Sequence, residues 1–358
     1  MRTSLIAVLS VAAAQFAAPD VSLAASYSIT DLGTLTRSGQ TFGEGINASG
    51  QASVDTALLG GHAVLYSAGT LHDLGTLPGK TSSNSNRINA GGDIVGFSSV
   101  SSGTAFLYSG GVMQNLNLLI DPSLGWQLQD AIGINDSGQV VGYGLIGGQK
   151  HGFLYSSGSI QDLGTIEPHD INNLGQITGV DLANGHAFLY SGGVKTDLGT
   201  LGGSSSSDAW GVNESGQVAG SSNGHAFLYD GSLHDLGPLA GFSTIHTSDL
   251  NSTGQVVGYS YNDFNNPRAW VYTGGVIRDL NTLIDPLSGW IVGAATGIND
   301  SGQIIVSAAE FVPGAPGSGG GFVVHALILT PIPEPSTLAL AAIGLVTLAI
   351  WRRKRAGK

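Results

Sequence analysis

The chain has 358 residues, of which only 11% are charged and 56 are Gly, with no Cys and a formal net charge of −12. The missing Cys excludes disulfide scaffolds, thiolate metal sites and Cys nucleophiles, and 13 basic residues against 25 acids argue against a nucleic-acid partner, whose phosphates need Lys and Arg. A chain rich in Gly and poor in Lys, Glu and Arg is a weak helix former, yet its 42% apolar content is enough for a core, so an all-β fold with many turns is expected.

Residues 1–24 read as a secretory signal peptide. Arg2 supplies the positive start, Leu5 to Leu9 and the following Val-Ala-Ala-Ala supply the apolar run, and Ser22-Leu23-Ala24 places small residues for cleavage after Ala24. From residue 25 to about 330 one unit recurs seven times. It reads Asp-Leu-Gly-Thr-Leu, a loop, Ile-Asn-x-x-Gly-Gln-Val-Val-Gly, a short loop, then His-Ala-Phe-Leu-Tyr and a Gly-rich turn. Its Asn falls at Asn47, Asn89, Asn135, Asn172, Asn213, Asn251 and Asn299, at spacings of 42, 46, 37, 41, 38 and 48 residues. Each unit carries four short β-branched or aromatic runs bounded by Gly, Asn and Ser, which read as four strands. Four strands per unit of about 40–45 residues is the dimension of a β-propeller blade.

The ends of the array predict closure. A fourth-type strand at Tyr27–Leu35 comes first, and a third-type strand at His325–Leu329 comes last with none after it. Pairing the two completes a seventh blade and hides two sheet edges at once. An open β-solenoid is the alternative, and it leaves both odd ends unexplained.

The repeated polar residues are weighed by geometry. The His at positions 62, 151, 186, 225 and 325 would be spread around a ring, whereas a metal needs converging ligands; a structural bond to a neighbouring loop or to the Asp of Asp-Leu-Gly is expected. The Asn-x-x-Gly words have at most one acid each, so turn chemistry is expected rather than calcium binding, which would want acids at alternating positions. Catalysis by the repeated Asp is not expected either, because a fourth strand lies on the outer rim and paired carboxylates must converge. No catalytic residue, metal site or cofactor is predicted, calcium remaining the one ion considered. Two units carry a longer loop ending in Trp126 and Trp290, nearly opposite each other on a seven-blade ring. These Trp either fill the gap between wedge-shaped blades or stack on a sugar ring; the second makes them the candidate ligand contacts. The segment Val312 to Gly321 reads as a surface loop interrupting the last unit.

The C-terminus reads Pro333-Glu334-Pro335, an apolar run over residues 338–351, then Arg352-Arg353-Lys354-Arg355. Fourteen helical residues extend about 21 Å, short of a hydrocarbon core of about 30 Å, and the basic cluster would stay cytoplasmic. These three parts, in this order, resemble the PEP-CTERM sorting signal of Gram-negative bacteria. The resemblance implies recognition by an exosortase, transient membrane insertion through residues 338–351 and an exopolysaccharide-producing host. Without Asp20, Arg2 and the basic tail, residues 25–335 hold 24 acids and 7 basic side chains, a net charge of about −17. The repeat words, intact at His186-Ala187-Phe188 and His225-Ala226-Phe227, resemble the HAF family of bacterial extracellular repeats, which implies export but supplies no mechanism. The sequence thus predicts three parts, at 1–24, 25–330 and 331–358. The expected function is that of an exported, non-catalytic binding or structural protein of the cell surface or exopolysaccharide matrix. A carbohydrate-active enzyme on a propeller scaffold is the alternative.

Overall fold

The computed structural model describes residues 27–333 except 37–38, 58–59, 263–265 and 313–320. The signal peptide with its Ala24 junction, Glu334, Pro335, the apolar run 338–351 and the basic tail lie outside the described residues.

Seven four-stranded antiparallel sheets follow one another along the chain. Blades 1 to 6 span residues 41–73, 82–115, 126–164, 166–199, 207–237 and 244–279; blade 7 spans 290–331 and takes its fourth strand from the N-terminus. The strand Tyr27–Asp31 pairs with Gly321–Pro331 in the register Tyr27↔Pro331 to Asp31↔Leu327. The ring therefore closes by strand pairing, as the two odd ends predict. The N-terminal strand stops earlier than Leu35 because Asp31 turns the chain, its Oδ1 accepting the N–H of Gly33 at 2.8 Å.

The first strand of each unit is innermost, packing against the first strands of the adjoining blades. Between blades lie apolar layers; one joins Ala187, Leu198, Ala209, Val212, Val218 and Phe227, and equivalent layers recur around the ring. The Ala-Phe of the third-strand word supplies the deepest side chains, with Phe106, Phe153, Phe188, Phe227 and Trp270 almost fully buried. This is why the word recurs: each blade needs one small and one large apolar residue at the same depth to fill a wedge.

The repeated His has the structural bond expected of it. His62, His151, His186, His225 and His325 each place Nδ1 at 2.9–3.1 Å from both carboxylate oxygens of Asp73, Asp162, Asp197, Asp235 and Asp31 respectively. The pair joins the start of the third strand to the end of the fourth. The His325–Asp31 joint also pins the N-terminal strand in place.

Blades 2 and 6 lack this joint, since Thr104 and Arg268 replace His. There the acceptors Asn115 and Asp279 take the N–H groups of Asn117 and Asn281 at 2.9 and 2.8 Å. Each of those Asn in turn clamps the next inner strand, Asn117 to both backbone groups of Leu128 and Asn281 to both of Val292, at 2.7–2.9 Å. The two longer loops are thus a second solution to fixing one blade to the next.

Candidate functional site

The axis of the ring is built at three levels by three consecutive zones of each inner strand. The last level is the Asn of Ile-Asn-x-x-Gly. Each Asn Nδ2 donates to the backbone carbonyl of the next Asn around the ring, from Asn47 to Asn89 and so on to Asn299, which returns to Asn47, at 2.9–3.2 Å. The second Nδ2 proton goes to the side chain four residues on, Asp93 in blade 2 and Gln elsewhere, at 2.7–3.1 Å. Oδ1 accepts the N–H four residues on and, in six blades, the N–H two residues on, as at Ser215 and Gln217 for Asn213. Both donors are taken, and in six blades both acceptor positions too, so in those six the side chain has no lone pair left for a cation. Asp has no proton to donate here, and Gln is one methylene too long. Seven turns expected to be local therefore form one closed hydrogen-bonded circle on one face of the propeller.

Two residues earlier, four blades carry Gly (Gly45, Gly133, Gly211, Gly297) and the other three carry Arg87, Asp170 and Asp249. Side chain and Gly alternate around the axis except where Gly297 adjoins Gly45. Arg87 reaches across the ring: Nη1 lies 3.2 Å from Asp249, Nε 4.0 Å from Asp170, and Nη2 donates to the carbonyls of Trp210 and Ser248 at 3.1 Å each. Asp170 and Asp249 also accept the N–H groups of Val212 and Ile298 at 3.0 Å. Burial pushes the Asp249 carboxyl up to about 6, against the pull of Arg87 and with the push of Asp170. This ion cluster sits between a cavity on the Asn-ring side and one on the opposite side, of about 260 and 290 Å³.

The third level lies one residue earlier again. Every inner strand has a β-bulge there, and the residue it leaves out of the ladder is Glu44, Asn86, Ile132, His169, Trp210, Ser248 or Thr296 in blades 1 to 7. A bulge re-aims the side chain it leaves unpaired, and all seven line the 290 Å³ cavity. The second-strand Gly makes room for it: a Cβ on Gly96, Gly142, Gly179, Gly220 or Gly258 would lie 2.0–2.1 Å from a carbonyl oxygen of the bulged strand. The cavity is a cup, open on the face away from the Asn ring and floored by Arg87.

One wall of the cup is a ring stack. His169 lies 4.0 Å from Trp210, Trp210 4.7 Å from His246 and His246 4.7 Å from Tyr259, centroid to centroid. His169 is fixed by its Nδ1, 3.0 Å from the Ala209 carbonyl oxygen. Burial lowers the His246 pKa, which keeps that ring neutral at neutral pH. The opposite wall is acidic. Burial, and then the neighbouring Asp55, hold the Glu44 carboxyl well above the usual carboxylate range. Burial likewise raises Asp55 to about 6, although Ser85 and Asn84 donate to it at 2.8–2.9 Å. Asp130, behind Asn86, is raised by burial to about 7.

Trp126 and Trp290 stand elsewhere. Each is the half-buried first residue of an inner strand rather than a loop residue. Trp126 packs edge-on against Phe153 and His151, and Trp290 lies 5.3 Å from His325. Both lean on the apolar layers between blades. Sequence reasoning overlooked the cup because it followed the repeated residues, and the cup is lined by the position that changes in every unit. The signal was available: the third residue before each Asn is different seven times, and the second is Gly or one of three charged residues, one Arg and two Asp.

Among the described residues no three His, Asp or Glu side chains are grouped to hold a metal ion, and no helix is long and apolar enough to cross a membrane. The fold matches solved structures. A streptogramin B lyase superposes with a TM-score of 0.54 at 9% identity, over 86% of this chain and 98% of that one. A catalytically inactive virginiamycin B lyase from Staphylococcus aureus, solved with quinupristin, gives 0.53 at 10%, over 86% and 100%. A puromycin-hydrolyzing peptidase of Mycobacterium tuberculosis gives 0.51 at 12%, over 80% of this chain and 50% of that one. Identities this low speak to architecture alone. No curated protein matches the chain. Residues 331–354 match the PEP-CTERM protein-sorting motif, so the propeller carries at its C-terminus the signal of an exported, exosortase-sorted protein.

Proposed function

We propose that the chain is a non-catalytic binding protein of the bacterial surface or exopolysaccharide matrix, and that its ligand enters the axial cup. The observation that carries this reading is the division of labour along the inner strand. The repeated residues hold blades together, while one position per blade is re-aimed by a bulge and differs every time. Seven different side chains converging on one cavity suit recognition of a shaped ligand. The sorting motif supports display outside the cell, and the likeness of the repeat words to HAF extracellular repeats agrees with it. An exopolysaccharide is the partner this placement favours. A sugar contact at Trp126 and Trp290 would be peripheral to the cup.

A carbohydrate-active enzyme is the second reading, favoured by one observation: Glu44 lines the cup with the Asp55 carboxyl behind it, and burial and then Asp55 hold the Glu44 carboxyl toward its protonated form, as a general acid requires. Purified residues 25–331 mixed with the host's own polysaccharide separate the two. Retention without shortened products supports binding. Release of shortened products that stops in Glu44→Gln supports the enzyme, and neither result leaves a rigid spacer.

A further inference from the structure

We propose that the cup takes a ligand bearing a free ammonium group, of the amino-sugar class, with the ammonium at Glu44 and a C–H face of the ring against the Trp210–His246–Tyr259 wall. This rests on the reading of the cup as the ligand site. Glu44 is the bulge residue of blade 1 and lines the cavity, yet among the described residues its carboxyl makes no hydrogen bond. The one guanidinium nearby is committed elsewhere: Arg87 is bonded to Asp249 and to two carbonyls, with Asp170 at its other edge. Glu44 and Asp55 together with Asp170 and Asp249 set four carboxyl groups against that one cation. A cationic group entering the cup draws the buried Glu44 carboxyl into its ionised form, and a carboxylate shielded from bulk water then gives a charge-assisted bond of more than ordinary strength.

The opposite wall says what else the ligand carries. Trp210, His246 and Tyr259 present stacked ring edges and faces, which suit the apolar side of a pyranose as well as a nearby cation. The Asn86 Nδ2 protons are engaged by Asp130 and the Ala131 carbonyl at 2.8 and 2.9 Å, which leaves its Oδ1 as an acceptor for a ligand hydroxyl. Ser248 adds a hydroxyl from blade 6. One ammonium, one flat apolar face and several hydroxyls describe a hexosamine unit.

The test titrates the exported protein with glucosamine trimer and with its fully N-acetylated counterpart, by calorimetry and tryptophan fluorescence at neutral pH. Binding of the free-amine trimer at least tenfold tighter than the acetylated one is expected. Glu44→Gln, which keeps size and shape, should remove that preference while leaving the melting temperature in place. Equal binding of the two sugars, an unchanged preference in Glu44→Gln, or displacement of the amine by calcium chloride alone would overturn the proposal. Ile132→Trp, which fills the cup from blade 3, identifies the level of failure. If it abolishes binding of sugars that show no amine preference, the cup is a ligand site but not one for a cation. If polysaccharide is retained unchanged by Ile132→Trp, the cup itself is not the ligand site.

Discussion

The Asn ring and the cup are built by the same seven strands, three residues apart, and they obey opposite rules. At the ring every blade presents the same residue, because each side chain must both donate to the next blade and close its own turn. At the cup every blade presents a different one, because a bulged residue has no ladder partner to satisfy. The comparison teaches where to look in a repeat protein. Sameness marks the joints, and the position that varies beside them marks the surface left over for a ligand.

The largest effect is expected from altering one joint of the Asn ring. Asn213→Asp puts a carboxylate where two protons are needed, facing the Gln217 side chain and the Asn251 carbonyl. A loss of about 3 kcal/mol or more in denaturant unfolding is expected, as for an uncompensated buried charge. A loss under about 1 kcal/mol would mean that the circle is incidental to stability. Arg87→Met attacks the level between ring and cup, leaving Asp170 and Asp249 without their cation. The expected cost is about 3 kcal/mol at pH 7.5, with part regained below pH 6 as the Asp249 carboxyl takes up its proton. An equal loss at both pH values would contradict that account.

Smaller effects sharpen the picture. Trp126→Ala and Trp290→Ala should each cost about 2 kcal/mol, less than a fully buried aromatic because both rings are half-exposed. Unchanged thermal unfolding with lost polysaccharide retention would instead make them ligand contacts. The buried carboxyls around the cup set a pH dependence whose sign is opposite to ordinary acid denaturation. The carboxyls of Asp130, Asp55 and Asp249 have folded-state pKa values of about 7, 6 and 6, all above the unfolded value. The folded protein therefore holds more protons than the unfolded chain between about pH 4 and pH 7, and stability falls as pH rises through that window. Unfolding free energy should increase by about 3 kcal/mol from pH 7.5 to pH 5.5. Asp130→Asn, which keeps an oxygen to accept from Asn86, should flatten much of that slope.

The propeller was legible in the sequence because its joints are written in repeated words. The four strands per unit, the closure by the first strand, and the His-to-Asp bond all follow from residues that must recur for geometric reasons. The extent of single strands was less legible: Tyr27 begins a strand that an Asp-x-Gly turn stops at Asp31. The reach of the Asn side chains into the next blade could not be read from one unit, since it depends on how units stack. The cup was hidden for a related reason. Glu44, His169 and Trp210 share no residue type, and only the bulge common to their strands brings them to one place.

The direction of the closing strands has a last consequence. Tyr27 and Pro331 lie side by side, and the Thr330 hydroxyl is 3.2 Å from Gln303, in the blade 7 turn that carries Asn299. The first strand thus starts, and the last strand stops, on the Asn-ring face, and the sorting motif begins where the last strand stops. Whatever grips the chain beyond Pro331 grips a goblet by its base, with the bowl turned away from the hand. Cutting that stem at Pro333 or later removes none of the pairs that close the ring.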